Sequence, residues 1–275
     1  MTNFDDQFNL RKRHPLGRLH LLKNLVQSYF ARASLDSNLD ISYGNTPGQK
    51  IDIFPASRAN APVFVFVHGG YFRALDKNQY SYMAKPFVGS GCTVALVNYD
   101  LAPKVTVAEI VEQNVQAFNW LRNNIANWNG DPNNMVLCGH SVGAFLVTKI
   151  IENDLQTGGK SAITGAALLS GIYDLTKIKQ SYLNNDLNLS DQDVSALSPI
   201  FGETRGFPPT LVAVGDEETD EFIKQSNQYS EKLELTGVCQ RYMLLENKNH
   251  YTVSRLLSKT TNPLTISILQ MFNNP

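Results

Sequence analysis

Hydrophobic positions along the chain follow two alternating rhythms. Continuous apolar runs occupy residues 63–67, 93–97, 135–138, 166–170 and 210–214, and a further one ends near 241–245. Runs this uniform predict strands buried on both faces, as in the middle of a parallel sheet. Between them apolar residues recur at helical spacing. Such segments cover 80–88, 110–123 (Val111, Val115, Phe118 and Leu121 on one side), 142–153, 222–235 (Phe222, Tyr229, Leu233) and 265–272. An N-terminal helix is predicted over 19–35, where Leu22, Leu25, Val26, Tyr29 and Phe30 share that period. Alternation on either side of Pro47-Gly48 predicts a β-hairpin over 39–54. Strands that alternate with helices define an α/β chain: a mostly parallel central sheet with helices on both faces and its strand-end loops along one rim.

Residues 173–209 break the rhythm with Asn184, Asn185, Asp186, Asn188, Ser190 and Asp191, ending in Pro208-Pro209. Short helices crossing the rim are expected there, as a small cap. No composition shift divides the chain, so 1–275 reads as one domain, with 1–38 as a helical extension and 173–209 as the rim or cap segment.

Composition narrows the partners. With 43% hydrophobic residues, 24 basic and 25 acidic side chains and a net charge of -1, the chain has an ordinary globular balance. Nothing at the scale of the whole molecule calls for nucleic acid or an anionic membrane. The basic run Arg11-Lys12-Arg13, with His14, reads as a solvated tail. Asp5 and Asp6 interrupt the N-terminus, no secretory signal is apparent, and no later segment reaches the ~18 apolar residues of a membrane helix. Three scattered cysteines, Cys92, Cys138 and Cys239, fit small buried hydrophobes in a reducing cytoplasm.

The chemistry centres on Gly139-His140-Ser141-Val142-Gly143, between a predicted strand and a predicted helix. A serine on such a turn projects its hydroxyl over the sheet rim, and the following helix aims N–H groups at developing negative charge. The bland alternative is a glycine-rich turn whose serine caps the helix. His68-Gly69-Gly70-Tyr71 follows the first buried strand, and its glycines let backbone N–H groups approach a reacting carbonyl. Gly69, Gly70 and Val142 are therefore the candidate oxyanion hole, with His68 ordering the loop. A serine hydroxyl needs a neighbouring base. Of the five histidines, His250 alone follows the last strand, giving the order serine, acid, histidine; His140, inside the turn, is expected to point away from the path of Ser141. The acid belongs to the loop 215–221, where Asp216, Glu217, Glu218 and Asp220 compete. Reach over the strand end favours Glu218, with Asp216 next. No metal-ligand spacing or phosphate-cradling glycine motif occurs, so no metal or cofactor is expected.

Several segments in order carry a more specific signal: Tyr43-Gly44 with residues 50–53, His68 to Tyr71 with Leu75-Asp76-Lys77, residues 98–104, residues 138–144, residues 170–175, and Glu221-Phe222 with Gln225-Ser226. On these the chain resembles the kynurenine formamidase (arylformamidase) branch of the hormone-sensitive-lipase-like α/β-hydrolases. The resemblance implies hydrolysis of the formamide of N-formyl-L-kynurenine to formate and kynurenine, with cleavage of small aryl esters as a side activity. It implies Ser141 as nucleophile, His250 as base, and Tyr71 and Phe72 as walls of the substrate cleft. Two positions depart from the family. Glu218 stands where the family has an aspartate, and Tyr71-Phe72 stands where it has Tyr-Trp. A carboxylesterase or other small-amide hydrolase of the same fold is the alternative, and a non-catalytic protein on this scaffold a more distant one. The expected partner is a small aryl amide or ester, not nucleic acid or membrane. Apolar residues on the first and last helices could dock on the chain's own sheet or on a second subunit, which leaves room for a homodimer.

Overall fold

The computed structural model describes residues 4–157 and 161–273. Eight strands form one sheet in the order β1-β2-β4-β3-β5-β6-β7-β8. They are β1 (Asn38–Ser42), β2 (Lys50–Phe54), β3 (Ala61–Val67), β4 (Thr93–Val97), β5 (Gly130–His140), β6 (Ile163–Leu169), β7 (Thr210–Gly215) and β8 (Cys239–Leu245). The hairpin β1–β2 adds antiparallel to β4, and every pairing from β4 to β8 is parallel. The helices are α1 (Phe4–Phe8), α2 (Leu10–Arg13), α3 (Gly17–Ser34), α4 (Ala84–Gly89), α5 (Val107–Asn124), α6 (Val142–Gln156), α7 (Thr176–Lys179), α8 (Asn184–Leu187), α9 (Asp191–Leu197), α10 (Asp220–Leu235), α11 (His250–Val253) and α12 (Pro263–Gln270).

The continuous apolar strands feed two cores, because successive side chains point to opposite faces. Val63, Val65 and Val67 of β3 join one cluster, with Ile110 and Phe118 of α5 and Phe145 of α6. Phe64 and Phe66 join the other, with Phe87 of α4 and Leu264 and Ile268 of α12. Phe64 stacks on Phe87 with ring centres 3.7 Å apart. Parallel register sets the rim: Val67 pairs with Gly139, His140 with Leu169, and Gly215 with Leu245. The loops leaving β3, β5, β6, β7 and β8 therefore open on the same edge.

One expectation changes here, and one left open is narrowed. The basic N-terminal run is solvated, with Arg11, Lys12 and Arg13 exposed, but it is not a tail: it lies in α2, and Phe8 and Leu10 beside it are buried. Helix α3 turns its face of Gly17, Asn24, Ser28 and Ala31 inward. Its apolar stripe of Leu19, Leu22, Leu25, Val26, Tyr29 and Phe30, with Leu16 just before it, faces outward at 47–69% exposure. Polar contacts fix that orientation. The Tyr82 N–H donates to Ser28 Oγ at 3.1 Å, and Arg32 reaches the fully buried Asp52 of β2 at 2.5 Å. Lys77 meets the same carboxylate at 2.9 Å. Among the described residues, no helix is long and apolar enough to cross a membrane.

Candidate active site

Ser141 joins β5 to α6 with φ 60° and ψ -126°, a conformation a non-glycine residue holds only when its surroundings impose it. Its N–H donates to Leu169 O at 2.8 Å, tying the turn to β6. A Cβ on Gly139 would collide with the Gly143 carbonyl, and one on Gly143 with the Val67 carbonyl. Only glycine at both places lets α6 start against β3 and β5. Val142 is the first residue of α6, so its N–H has no acceptor within the helix.

The loop after β3 wraps beside this turn. A Cβ on Gly69 would meet His140 O at 2.7 Å and Ser141 Cβ at 2.8 Å, so the backbone of Gly69 runs directly along the serine. His68, fully buried, stacks on Tyr99 at 4.4 Å; its Nδ1 lies 2.7 Å from Gly69 O and its Nε2 3.1 Å from Asn98 Oδ1. Burial pushes its pKa down. The imidazole thus braces the glycine loop.

His250 opens α11 and is buried, and Nδ1 lies 2.6 Å from Glu218 Oε2. A carboxylate only accepts, so Nδ1 is the nitrogen that donates in this contact. Glu218 is buried as well, and Oε1 accepts from Ser170 Oγ at 2.5 Å and from the Gly215 N–H at 3.0 Å. Of the competing acids in this loop, Asp216, Glu217 and Asp220 are exposed, and the Asp216 carboxylate accepts from the Lys248 N–H at 3.3 Å. The longer glutamate fits because Gly215 and Ser170 fold its carboxylate back toward the strand end. Ring contacts complete the seat of His250, with Phe222 at 4.4 Å and His140 at 4.6 Å.

Ser141 and His250 open together onto a cavity of about 530 Å³. Gly70 and Tyr71 line it, and the Tyr71 hydroxyl donates to Phe8 O at 3.0 Å. Phe72 does not: it is fully buried and packs edge-on against Phe145 at 5.2 Å. Positive φ at both Tyr71 (53°) and Phe72 (61°) turns the second aromatic away from the cleft and into the core. From the cap, Tyr182 and Asp186 reach the cavity, whereas Tyr173 is buried on Tyr229 and Phe201 is exposed elsewhere. His140 belongs to the wall too and does not point away from it. Sequence reasoning missed the N-terminal contribution of Phe8, Leu10 and Arg11, and also Ser170 behind the acid. The four-residue spacing of Phe4 and Phe8 was the available signal. Among the described residues, no cluster of His, Cys, Asp and Glu could hold a metal ion.

Residues 64–254 match a family described by the α/β-hydrolase fold, and the chain is a hydrolase of that class. Solved structures agree. A provisionally assigned thioesterase from Silicibacter sp. TM1040 superposes with a TM-score of 0.86 at 26% identity, covering 96% of this chain and 98% of that one. An esterase from Pyrobaculum calidifontis shares the fold at a TM-score of 0.75 and 17% identity, covering 95% and 93%. Within the class, the kynurenine formamidase of Salmo salar is 31% identical over 88% of this chain and 84% of its own length. That of Danio rerio is 29% identical over the same shares. The chain belongs to the kynurenine formamidase family.

Proposed function

We propose that the chain cleaves the formamide of N-formyl-L-kynurenine, or a closely related aryl formamide, through Ser141, His250 and Glu218. The observation that carries this reading is the buried Glu218–His250 contact of 2.6 Å opening onto the same cavity as the strained Ser141 turn. His250 Nε2 takes the Ser141 proton as Oγ attacks the formyl carbon. The N–H groups of the Gly69-Gly70 loop and Val142 receive the oxyanion. The imidazolium, held by Glu218, then gives its proton to the aryl nitrogen as the C–N bond breaks, leaving a formyl ester on Ser141. Water attacks that ester, its proton passing to His250 and on to Ser141 Oγ, and formate departs. Tyr71 and Tyr182 flank the aryl group. No cofactor is required by these steps.

Formate release from N-formyl-L-kynurenine, measured beside hydrolysis of phenyl acetate, tests the reading. A far larger kcat/KM for the ester would overturn the formamidase assignment while leaving the hydrolase. The working unit in this reading is a homodimer in a reducing compartment, joined through the outward stripe of α3. At about 200 Å² for a fully exposed residue of this size, its 47–69% exposures leave on the order of 800 Å² open, the per-partner area of a standard interface.

A further inference from the structure

The cavity straddles the sheet rim. Phe8, Tyr71 and Tyr182 belong to or pack on the core of one face, whereas Tyr80 and Leu75 do so on the other. The first group is the aromatic wall under the cap, where Arg73 pairs with Asp186 and lies 5.3 Å over the Tyr182 ring. The other end lies beneath α3, and uncharged donors gather there. Arg255 donates to Asn24 Oδ1, which fixes the amide so that its NH2 group points the other way. Asn24 is 2% exposed, as is Tyr80, and neither that NH2 group nor the Tyr80 hydroxyl has an acceptor among the described residues. Both atoms keep surface open to the cavity that their residues line, unlike the ring nitrogens of His140, which are sealed. Burial pushes the Tyr80 pKa far up, so its hydroxyl stays protonated. Ser254 lines the same end. Ser28, one turn after Asn24, accepts the Tyr82 N–H, and the Tyr82 hydroxyl donates to Ser254 Oγ at 3.4 Å, leaving Ser254 its own proton. Buried donors without acceptors are costly, so three in one corner call for an acceptor brought from outside. Asp186, the carboxylate that lines the cavity, is taken up by Arg73 at the cap end.

The proposed function sets the aryl leaving group between Tyr71 and Tyr182, at the cap end. At the tetrahedral carbon on Ser141 the acyl substituent points away from the leaving group, and so toward α3. For a formyl group that substituent is a hydrogen, and the donors beneath α3 go unused. We infer that Asn24, Tyr80 and Ser254 form an acyl-side subsite for a neutral acceptor oxygen, and that the protein also hydrolyses aryl esters whose acyl group carries an ether, ester or ketone oxygen. This goes beyond formamide cleavage but rests on the placement of the aryl group in that reading. Leu21 and Leu75 line the same end and suit the methylenes between the carbonyl and that oxygen. A neutral oxygen matches uncharged donors in a buried corner, whereas a carboxylate would lose its hydration there with no cation in contact. The steps are those already given, with this acyl group on Ser141 in place of formyl. The phenol leaves with the His250 proton, and water releases the substituted acid.

Phenyl esters of methoxyacetic, 3-methoxypropanoic and 4-methoxybutanoic acid test this beside the butanoate, pentanoate and hexanoate, in which a methylene replaces the oxygen. In the wild-type protein at least one ether should exceed its methylene counterpart about tenfold in kcat/KM, after division by the ratio of their hydroxide-catalysed rates. Tyr80→Phe removes one donor. Asn24→Asp turns another into an acceptor while keeping the oxygen that Arg255 holds. Each should lower the preference about fivefold, the worth of one hydrogen bond to a neutral acceptor. A wild-type preference no greater than the chemical one would overturn the inference, whether or not the variants fold. So would a preference unchanged in both variants, or turnover of phenyl acetate with none of the longer esters cleaved. Should N-formyl-L-kynurenine not be cleaved, the formamidase reading fails, while the ester series still decides the subsite.

Discussion

Glu218 satisfies its carboxylate completely, with His250 on one oxygen and Ser170 and Gly215 on the other. Glu218→Gln keeps the shape but cannot stabilise an imidazolium and can present the wrong partner to Nδ1. Turnover of an aryl ester should fall about 10³–10⁴-fold, whereas Asp216→Ala, at an exposed position, should keep near-full turnover. The reverse pattern in steady-state kinetics would move the acid to Asp216. Much of this was legible in sequence: the serine turn, the late histidine and the reach of the loop all follow from local spacing. The hydroxyl that holds the acid is not local, since Ser170 lies 48 residues away and says nothing in sequence about Glu218. Phe72 was misread for a related reason, because adjacency to Tyr71 does not reveal two successive positive φ angles. A second prediction concerns protons. Burial lowers the pKa of His68 and of His140 from the ordinary value of 6.5. The unfolded chain therefore binds more protons than the folded one below pH 6.5. Their contribution is complete above that pH and declines beneath it by up to about 1.4 kcal/mol per unit for each histidine. Urea unfolding from about pH 7.5 to about pH 5.5 should show that decline, and a flat profile would contradict the neutral burial of both rings.

At the scale of elements, the long periodic segments were readable and the short ones were not. The apolar run at 93–97 coincides with β4, and the helical period at 222–235 lies inside α10. Helix α1 has five residues and α2 four, so the single Phe4–Phe8 spacing is all the periodicity that this wall of the cavity offers in sequence. Tertiary contacts give these pieces their structure. Phe8 is 1% exposed, edge-on to Tyr71 at 6.3 Å and to Phe222 at 6.1 Å, and Phe222 in turn seats His250. Gln7 accepts from Thr219 at 2.9 Å, which fastens α1 to the start of α10 beside the acid loop. Phe8→Ala should cost about 3–5 kcal/mol of stability, read from the denaturation midpoint at unchanged m-value. It should also raise KM for small aryl esters, because the wall that Tyr71 leans on is gone. A variant with the stability loss but unchanged KM would confine Phe8 to a packing role.

Across the whole molecule, the parallel order of the sheet follows from buried strands joined by helices, but the orientation of α3 does not. Its apolar stripe was visible in the sequence, and a single chain would be expected to bury it. Asp52 is the physical reason for the outcome: a carboxylate buried in β2 requires Arg32 and Lys77, and Arg32 rotates α3 until its polar, small-residue face lies inward. What remains outside is an apolar strip about 21 Å long from Leu16 to Phe30, with Arg18 and Lys23 exposed at its margins and no carboxylate on the helix. A parallel pairing of two copies would set like cations side by side. An antiparallel pairing about the middle of the helix draws the two Arg18 side chains to opposite ends, more than a Debye length of about 8 Å apart, and leaves the near-central Lys23 pair about 8 Å apart along the axis. Light scattering should then report twice the 30.6 kDa chain mass, and Leu22→Asp with Tyr29→Asp should halve it, since neither charge can be buried unpaired. A wild-type monomer that floats with vesicles rich in anionic lipid would instead make the stripe a membrane contact. A dimer indifferent to both substitutions would place the interface elsewhere. Because Leu21 and Asn24 of the same helix line the cavity that holds Ser141 and His250, pairing through α3 would hold the inner wall of each proposed site from the outside, and dissociation should raise KM before it lowers kcat.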